Sequence, residues 1–211
     1  MRVFLALLFW ACLSSCNASD DIYGPAQPGK GPGGSDYQHA KVRITDRAEG
    51  ANGYWVFQPA NPTPDSADVV VMNHGWGAYN PASYGGWIRH IVRKGSIVIY
   101  TRYQYSMATL PRYFNQNAET EITASHGEIL SVFDRYNSGH GNPVIWRARW
   151  ASQTNAVDYF CYWKLFDALK ACALAAHYCN YAFGNTEEQR YMGQWSDGTP
   201  VKELTVLDTL E

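Results

Sequence analysis

Residues 39–45 alternate apolar and polar positions, with Val42 and Ile44 on one side, which is the period of a half-buried strand. Tyr54-Trp55-Val56-Phe57 predicts a second strand, stopped by Pro59, Pro62 and Pro64. Val69-Val70-Val71-Met72 is apolar at every position, the pattern of a central parallel strand covered on both faces. Over residues 84–94 the period changes: Tyr84, Trp87, Ile88, Ile91 and Val92 share one helical face. Arg93-Lys94 followed by Gly95 is a helix stop. Residues 96–101 return to a strand with a continuous apolar middle. Residues 69–101 therefore predict a β-α-β unit, parallel and right-handed. Further along, the pattern predicts a helix over residues 117–133, weakened by Gly127, and a strand over residues 144–149. A long helix follows over residues 156–176, whose polar stripe is only Asp158, Lys164, Asp167 and Lys170, so most of it should be buried. Ser196-Asp197-Gly198-Thr199-Pro200 is a turn, and no internal repeat is present.

The ends of the chain add a location. Residues 1–18 have the shape of an export signal, with Arg2 as the one charge and an apolar run over residues 3–13 that is too short to span a bilayer. The run ends in Leu13-Ser14-Ser15-Cys16, which resembles the bacterial lipobox and would make Cys16 the acylated first residue of a periplasmic or cell-envelope lipoprotein. Cleavage near Ala18 with full secretion is the alternative. Membrane contact is expected only through that N-terminal lipid. Residues 19–36, rich in Gly and Pro and poor in apolar groups, read as a flexible tether. A single domain is then expected over residues 37–211.

Composition narrows the function classes. Aromatics reach 15% against only 17% charged residues, which argues for a packed domain. A net charge of -2 leaves no basic footprint for nucleic acid. The cluster Trp146, Arg147, Arg149, Trp150 reads as an edge strand with snorkelling arginines. Phosphate-loop and dinucleotide fingerprints are missing, and the histidines have no metal-site spacing, so no cofactor or metal is expected. Outside the leader, Cys161, Cys172 and Cys179 make an odd number in an oxidising compartment, with no Cys-x-x-Cys.

The chemistry-bearing signal is Met72-Asn73-His74-Gly75-Trp76-Gly77, at the end of the third apolar strand. Gly75 and Gly77 let the backbone approach a ligand closely, and backbone N–H groups here can face a crevice at the strand's carboxyl end. In acyl transfer such N–H groups stabilise an oxyanion. A glycine-rich strand-to-helix turn without a ligand is the plainer reading of the same residues.

Val70-Val71-Met72-Asn73-His74-Gly75-Trp76-Gly77, then Tyr84-Gly85-Gly86-Trp87-Ile88, then Arg93-Lys94-Gly95-Ser96-Ile97-Val98-Ile99-Tyr100, resemble exported bacterial α/β-hydrolases of the dienelactone-hydrolase and polyesterase-like group. Tyr162-Trp163-Lys164-Leu165-Phe166-Asp167-Ala168-Leu169 is similar to that group's last helix, and Met192-Gly193-Gln194-Trp195-Ser196-Asp197-Gly198 to a tail after it. The resemblance covers roughly residues 37–115 and 156–211. It implies an α/β fold with a mostly parallel sheet flanked by helices, a small-molecule carboxylic ester as substrate and a Ser-His-Asp triad. His74, Gly75, Trp76 and Gly77 would form the oxyanion loop, with His74 shaping it.

The chain departs from the group at the nucleophile. Gly-x-Ser-x-Gly, the strained strand-to-helix elbow, does not occur. Thr123-Ala124-Ser125-His126-Gly127 comes nearest, but no apolar strand precedes it, so Ser125 reads first as a helix or turn serine and second as a nucleophile. His140, between Gly139 and Gly141, falls where the group's catalytic base would. It is also readable as an exposed loop histidine, and Asp134 as a solvated helix-end charge. The resemblance implies an incomplete α/β-hydrolase-like domain lacking the middle block with the elbow, impaired or inactive as an ester hydrolase. A non-catalytic exported binding or envelope lipoprotein and a gene fragment are the alternatives, and a homodimer through an exposed sheet edge is a further expectation. Finally, the resemblance implies a Cys172–Cys179 disulfide, leaving Cys161 as a thiol. Seven residues of continuous helix rise about 10.5 Å, beyond the roughly 7 Å Cα limit, so this pairing requires the helix to end near Ala176.

Overall fold

The computed structural model describes residues 22–49, 53–75, 77–104, 106, 108 and 154–206. The helix expected over residues 117–133, the strand over 144–149 and the leader with Cys16 lie outside them.

Four strands form one mixed sheet: β1 (Lys41–Arg47), β2 (Tyr54–Ala60), β3 (Val69–Met72) and β4 (Ile97–Thr101), in the order β1-β2-β4-β3. The fold is of the α/β type. The expected mostly parallel sheet is not what the described residues form. β1 pairs antiparallel with β2, β2 pairs antiparallel with β4, and only β3 and β4 run parallel. The reason lies in the connections. Residues 48–53 are a hairpin-length link, which can join only antiparallel neighbours, whereas β3 and β4 are separated by helix α1 (Gly85–Arg93), the crossover that a parallel pair needs. The centre of the sheet also differs from expectation. β4 sits between β2 and β3, and Val69 of β3 is exposed. A continuous apolar run marks two apolar faces, and both β3 and β4 have one, so the run does not say which strand is central.

The register places Trp55, Phe57, Val70, Met72, Val98 and Tyr100 on one face. There they pack with Ile88, Ile91 and Val92 of α1, all but sealed from solvent. α1 is entered through a 3-10 turn at Pro81–Tyr84, whose Asn80 side chain accepts a hydrogen bond from the Ala82 N–H at 2.8 Å. Gly95, at φ +110°, ends the helical run in a conformation that side chains disfavour.

A second core gathers Ala156, Val157, Phe160, Cys161, Met192, Trp195 and Val201. The long helix expected here begins with a π-helical turn at Asp158–Tyr162 and continues as α2 (Trp163–Ala175). α2 ends in the left-handed Ala176, φ 51°, where the Ala176 and His177 N–H groups bond back to the carbonyls of Cys172 and Ala171. The chain reverses into α3 (Cys179–Ala182), and Cys172 and Cys179 are joined by a disulfide across a Cα–Cα distance of 4.8 Å. α4 (Glu187–Arg190) follows, capped by the Thr186 side chain. No helix among the described residues is long and apolar enough to cross a membrane.

From Ile22 onward the Gly/Pro-rich segment is packed and bonded, which corrects the reading of a flexible tether over residues 19–36 for its described part, residues 22–36. Tyr23 and Ser196 exchange hydrogen bonds, Ser35 N–H reaches the Pro28 carbonyl, and Gly33 N–H donates to the Asp167 carboxylate at 2.9 Å. A Cβ on Gly33 would stand 2.0 Å from the Tyr159 carbonyl oxygen. Glycine here serves close backbone packing, and such packing needs no apolar side chains.

Candidate functional site at the carboxyl edge of the sheet

β3 runs out at Met72 into the loop that carries His74, Gly75 and Gly77. Trp76 lies outside the described residues, as do Ser125 and His140. The His74 ring is buried and stacked between Tyr103, 4.2 Å away between centroids, and Tyr100, 5.5 Å away. Its Nδ1 is 2.9 Å from the Gly75 carbonyl oxygen. A carbonyl only accepts, so Nδ1 carries the hydrogen of that bond. Wedged and bonded in this way, His74 shapes the loop.

The end of β4 ties the loop down. Tyr100 O–H donates to the Ala78 carbonyl, and Thr101 Oγ1 lies 3.1 Å from Asn73 Oδ1. Gly77 N–H donates to the buried Gln104 Oε1 at 2.6 Å, and Gly75 N–H to Tyr84 Oη at 3.2 Å. Gly77 adopts φ +73°, so the loop needs glycine there. At Gly75 an added Cβ would meet only Tyr84 Oη at 3.5 Å, an ordinary contact. Burial, reinforced by the Tyr84 phenol, pushes the Tyr103 hydroxyl up from its ordinary value, so it stays protonated through neutral pH.

Next to the loop, at the same end of the sheet, a cavity of about 380 Å³ opens among Asp46, Glu49, Trp55, Tyr79, Asn80 and Arg102. The Arg102 guanidinium lies 5.7 Å from the Trp55 ring centroid and donates to the Ala48 carbonyl. One guanidinium, two carboxylates, an amide and two aromatic faces make a polar crevice suited to a small ligand. No serine or cysteine lines it among the described residues. The Gly75 and Gly77 N–H groups are already matched with side-chain acceptors, so an oxyanion that used either of them would have to displace Tyr84 Oη or Gln104 Oε1.

Two further arrangements escape a reading of the sequence. His90 is buried in α1, its Nε2 2.9 Å from Asp167 Oδ2 on α2 and its Nδ1 3.2 Å from Tyr37 Oη. The carboxylate accepts from Nε2–H, and with a neutral ring Nδ1 accepts from the phenol. Trp163 stacks on the ring at 4.3 Å, and Arg93 covers the Tyr37 ring at 3.9 Å. This has the sequence of groups of an acid–base relay, but His90 is 1% exposed, so it fastens α1, α2 and residues 33–37 together. The second arrangement is Lys164, 3% exposed, whose Nζ donates to the carbonyls of Glu188, Gln189 and Tyr191 at 3.0, 2.8 and 2.6 Å. Burial lowers its ammonium to about 8. Among the described residues no three His, Cys, Asp or Glu side chains gather as a metal site.

No protein-family model matches the chain, and neither the curated proteins nor the solved structures give a significant match.

Proposed function

We propose that this chain is of carboxylic-ester hydrolase ancestry, on an α/β-hydrolase-like scaffold, and retains the oxyanion side of the site without a working nucleophile elbow. One observation carries the reading. The loop between the third strand and the first helix bears Gly75 and Gly77 and opens beside a cavity at the carboxyl edge of the parallel pair. In serine hydrolases of this class one oxyanion N–H comes from that same connection. The absence of Gly-x-Ser-x-Gly from the sequence supports the second half of the reading. Fluorophosphonate labelling and p-nitrophenyl ester turnover test it. Labelling should be absent, and any trace of turnover should be insensitive to Ser125→Ala. Brisk hydrolysis abolished by Ser125→Ala would overturn the reading and make Ser125, with His140 as its base, a working pair.

A second reading is a non-catalytic exported binding or envelope lipoprotein on the same scaffold. It is favoured by the engagement of the Gly75 and Gly77 N–H groups with Tyr84 and Gln104, which spends these two donors within the protein. Under either reading the chain is exported, with lipid on Cys16. Mass spectrometry of the mature N-terminus tests that, and an unmodified start at Ser19 would exclude it.

A further inference from the structure

A second cavity, of about 460 Å³, lies remote from the sheet edge, between residues 28–32 and the helical C-terminal part of the chain. Its volume falls within the range of small-ligand pockets, about 300–1,000 Å³. Phe160, Tyr181 and Tyr191 provide aromatic surface, with Phe160 and Tyr191 edge to face at 5.7 Å. Pro28 and Pro32 close the opposite wall. That wall is held in place by Gly33 N–H on Asp167, by the Gly34 N–H bond to the Gly31 carbonyl and by Lys94 Nζ on the same carbonyl. The other wall is fixed by Lys164, which clamps the carbonyls of two lining residues, Glu188 and Tyr191. The pocket is therefore preformed.

Its charges decide what it would take. Lys30 and Lys164 are balanced by Glu187 and Glu188. All three Lys164 N–H groups are spent on backbone carbonyls, so Lys164 contributes charge but no donor. An organic cation would suit the aromatic faces but meets two ammonium groups. An anion meets two carboxylates and only one lysine with donors to spare. A neutral polyhydroxylated ring fits all the groups at once. Its C–H face would lie on aromatic carbon, its hydroxyls would donate to Glu187 and Glu188, and one of its oxygens would accept from Lys30. We propose that this cavity is a carbohydrate site for a neutral pyranose unit or short oligosaccharide, framed by Phe160, Tyr181 and Tyr191 with Glu187, Glu188 and Lys30 as its polar contacts. The proposal is independent of the ester-hydrolase reading, because the two cavities share no residue.

Saturation-transfer NMR and calorimetric titration of the full chain test it, with maltotriose and N,N′-diacetylchitobiose as neutral probes and glucuronate and choline as charged ones. At least one neutral probe should bind with saturation on its ring C–H protons. Tyr191→Ala, which removes a stacking face but keeps the backbone carbonyl that Lys164 holds, should weaken it about tenfold while the chain still melts in one cooperative transition. Should Tyr191→Ala fail to fold, Lys30→Ala on the exposed rim serves instead. It leaves the pocket net negative, so choline binding should appear where wild type has none. Failure of both neutral probes, preference of wild type for choline or glucuronate, or sugar binding indifferent to both substitutions would each overturn the assignment.

Discussion

Lys164 allows a sharp test because two forces on its ammonium oppose each other. Burial among Phe160, Cys161 and the α4 turn removes hydration and disfavours the charge, while three carbonyls favour it. Burial wins, since the ammonium lies at about 8 against an ordinary 10.5. Between those values the unfolded chain binds the proton more tightly than the folded one, so stability rises with pH across the window. The full slope is about 1.4 kcal/mol per pH unit. Lys164→Met has similar length and no titration. At pH 7 it should be less stable by about 1–3 kcal/mol, the cost of buried carbonyls left without a donor. The gap to wild type should then widen by about 1.5 kcal/mol between pH 8 and about pH 9.5. Urea melts of both proteins at half-unit pH steps measure it, and the ordinary lysines cancel in the difference. A gap that stays flat or narrows over that range would refute the reasoning and show that the three carbonyls hold the proton against burial.

The disulfide closes a short loop, so Cys172→Ser with Cys179→Ser should cost roughly 2–3 kcal/mol by chain entropy, read as a lower melting temperature. No change would mean that the left-handed turn at Ala176 and Tyr178 holds the reversal alone. His90→Ala takes one partner from the Asp167 carboxylate, which keeps the Gly33 N–H, and one from the Tyr37 phenol, which keeps Gln27, and should cost about 1–3 kcal/mol in denaturant melts. His90→Gln, which can restore one of the two bonds, should recover part of that loss, and equal losses would show that the bonds contribute nothing. Gly77→Ala forces a side chain into φ +73° and should cost roughly 1–2 kcal/mol, whereas Gly75→Ala should be nearly neutral by the same measurement.

Much of the framework is legible in the hydrophobic pattern because the pattern records which side chains are covered. α1 follows its period, and β3 and β4 their continuous apolar runs, whereas Ile44 of β1 stands exposed and β2 runs through Pro59 to Ala60. What the pattern does not record is who the neighbour is. Val69-Val70-Val71-Met72 and Ile97-Val98-Ile99-Tyr100 are equally apolar, and only the pairing register makes the second one central. The direction of β2 follows from link length, a property of residues 48–53 that carry no apolar signal. Of the candidate site, the loop with His74, Gly75 and Gly77 could be read because glycine at a strand end is a local cue. The acceptors of the Gly75 and Gly77 N–H groups could not be read, since Tyr84 and Gln104 are 9 and 27 residues away from them.

The residues most misread are those whose partner is backbone. Lys164 and Asp167 stand on the polar stripe of α2, and polarity on a helix usually means solvent. Here Lys164 turns to three carbonyls, and Asp167 to the Gly33 N–H and His90, 134 and 77 residues away in sequence. Every residue has a backbone N–H or carbonyl to offer, so sequence cannot announce such a partner. The same blindness makes residues 22–36 look like a tether. Low apolar content signals that a segment cannot fold around its own side chains, but Gly33 against the Tyr159 carbonyl shows another route to order. A chain without a Cβ can press its backbone onto a neighbouring helix and satisfy its polar groups there. A Gly/Pro-rich stretch is thus ambiguous between linker and strap, and buried polar side chains on the facing helix resolve it. In this chain the carboxylate of Asp167, on the polar stripe of α2 that faces the strap, is the counterpart that the strap requires.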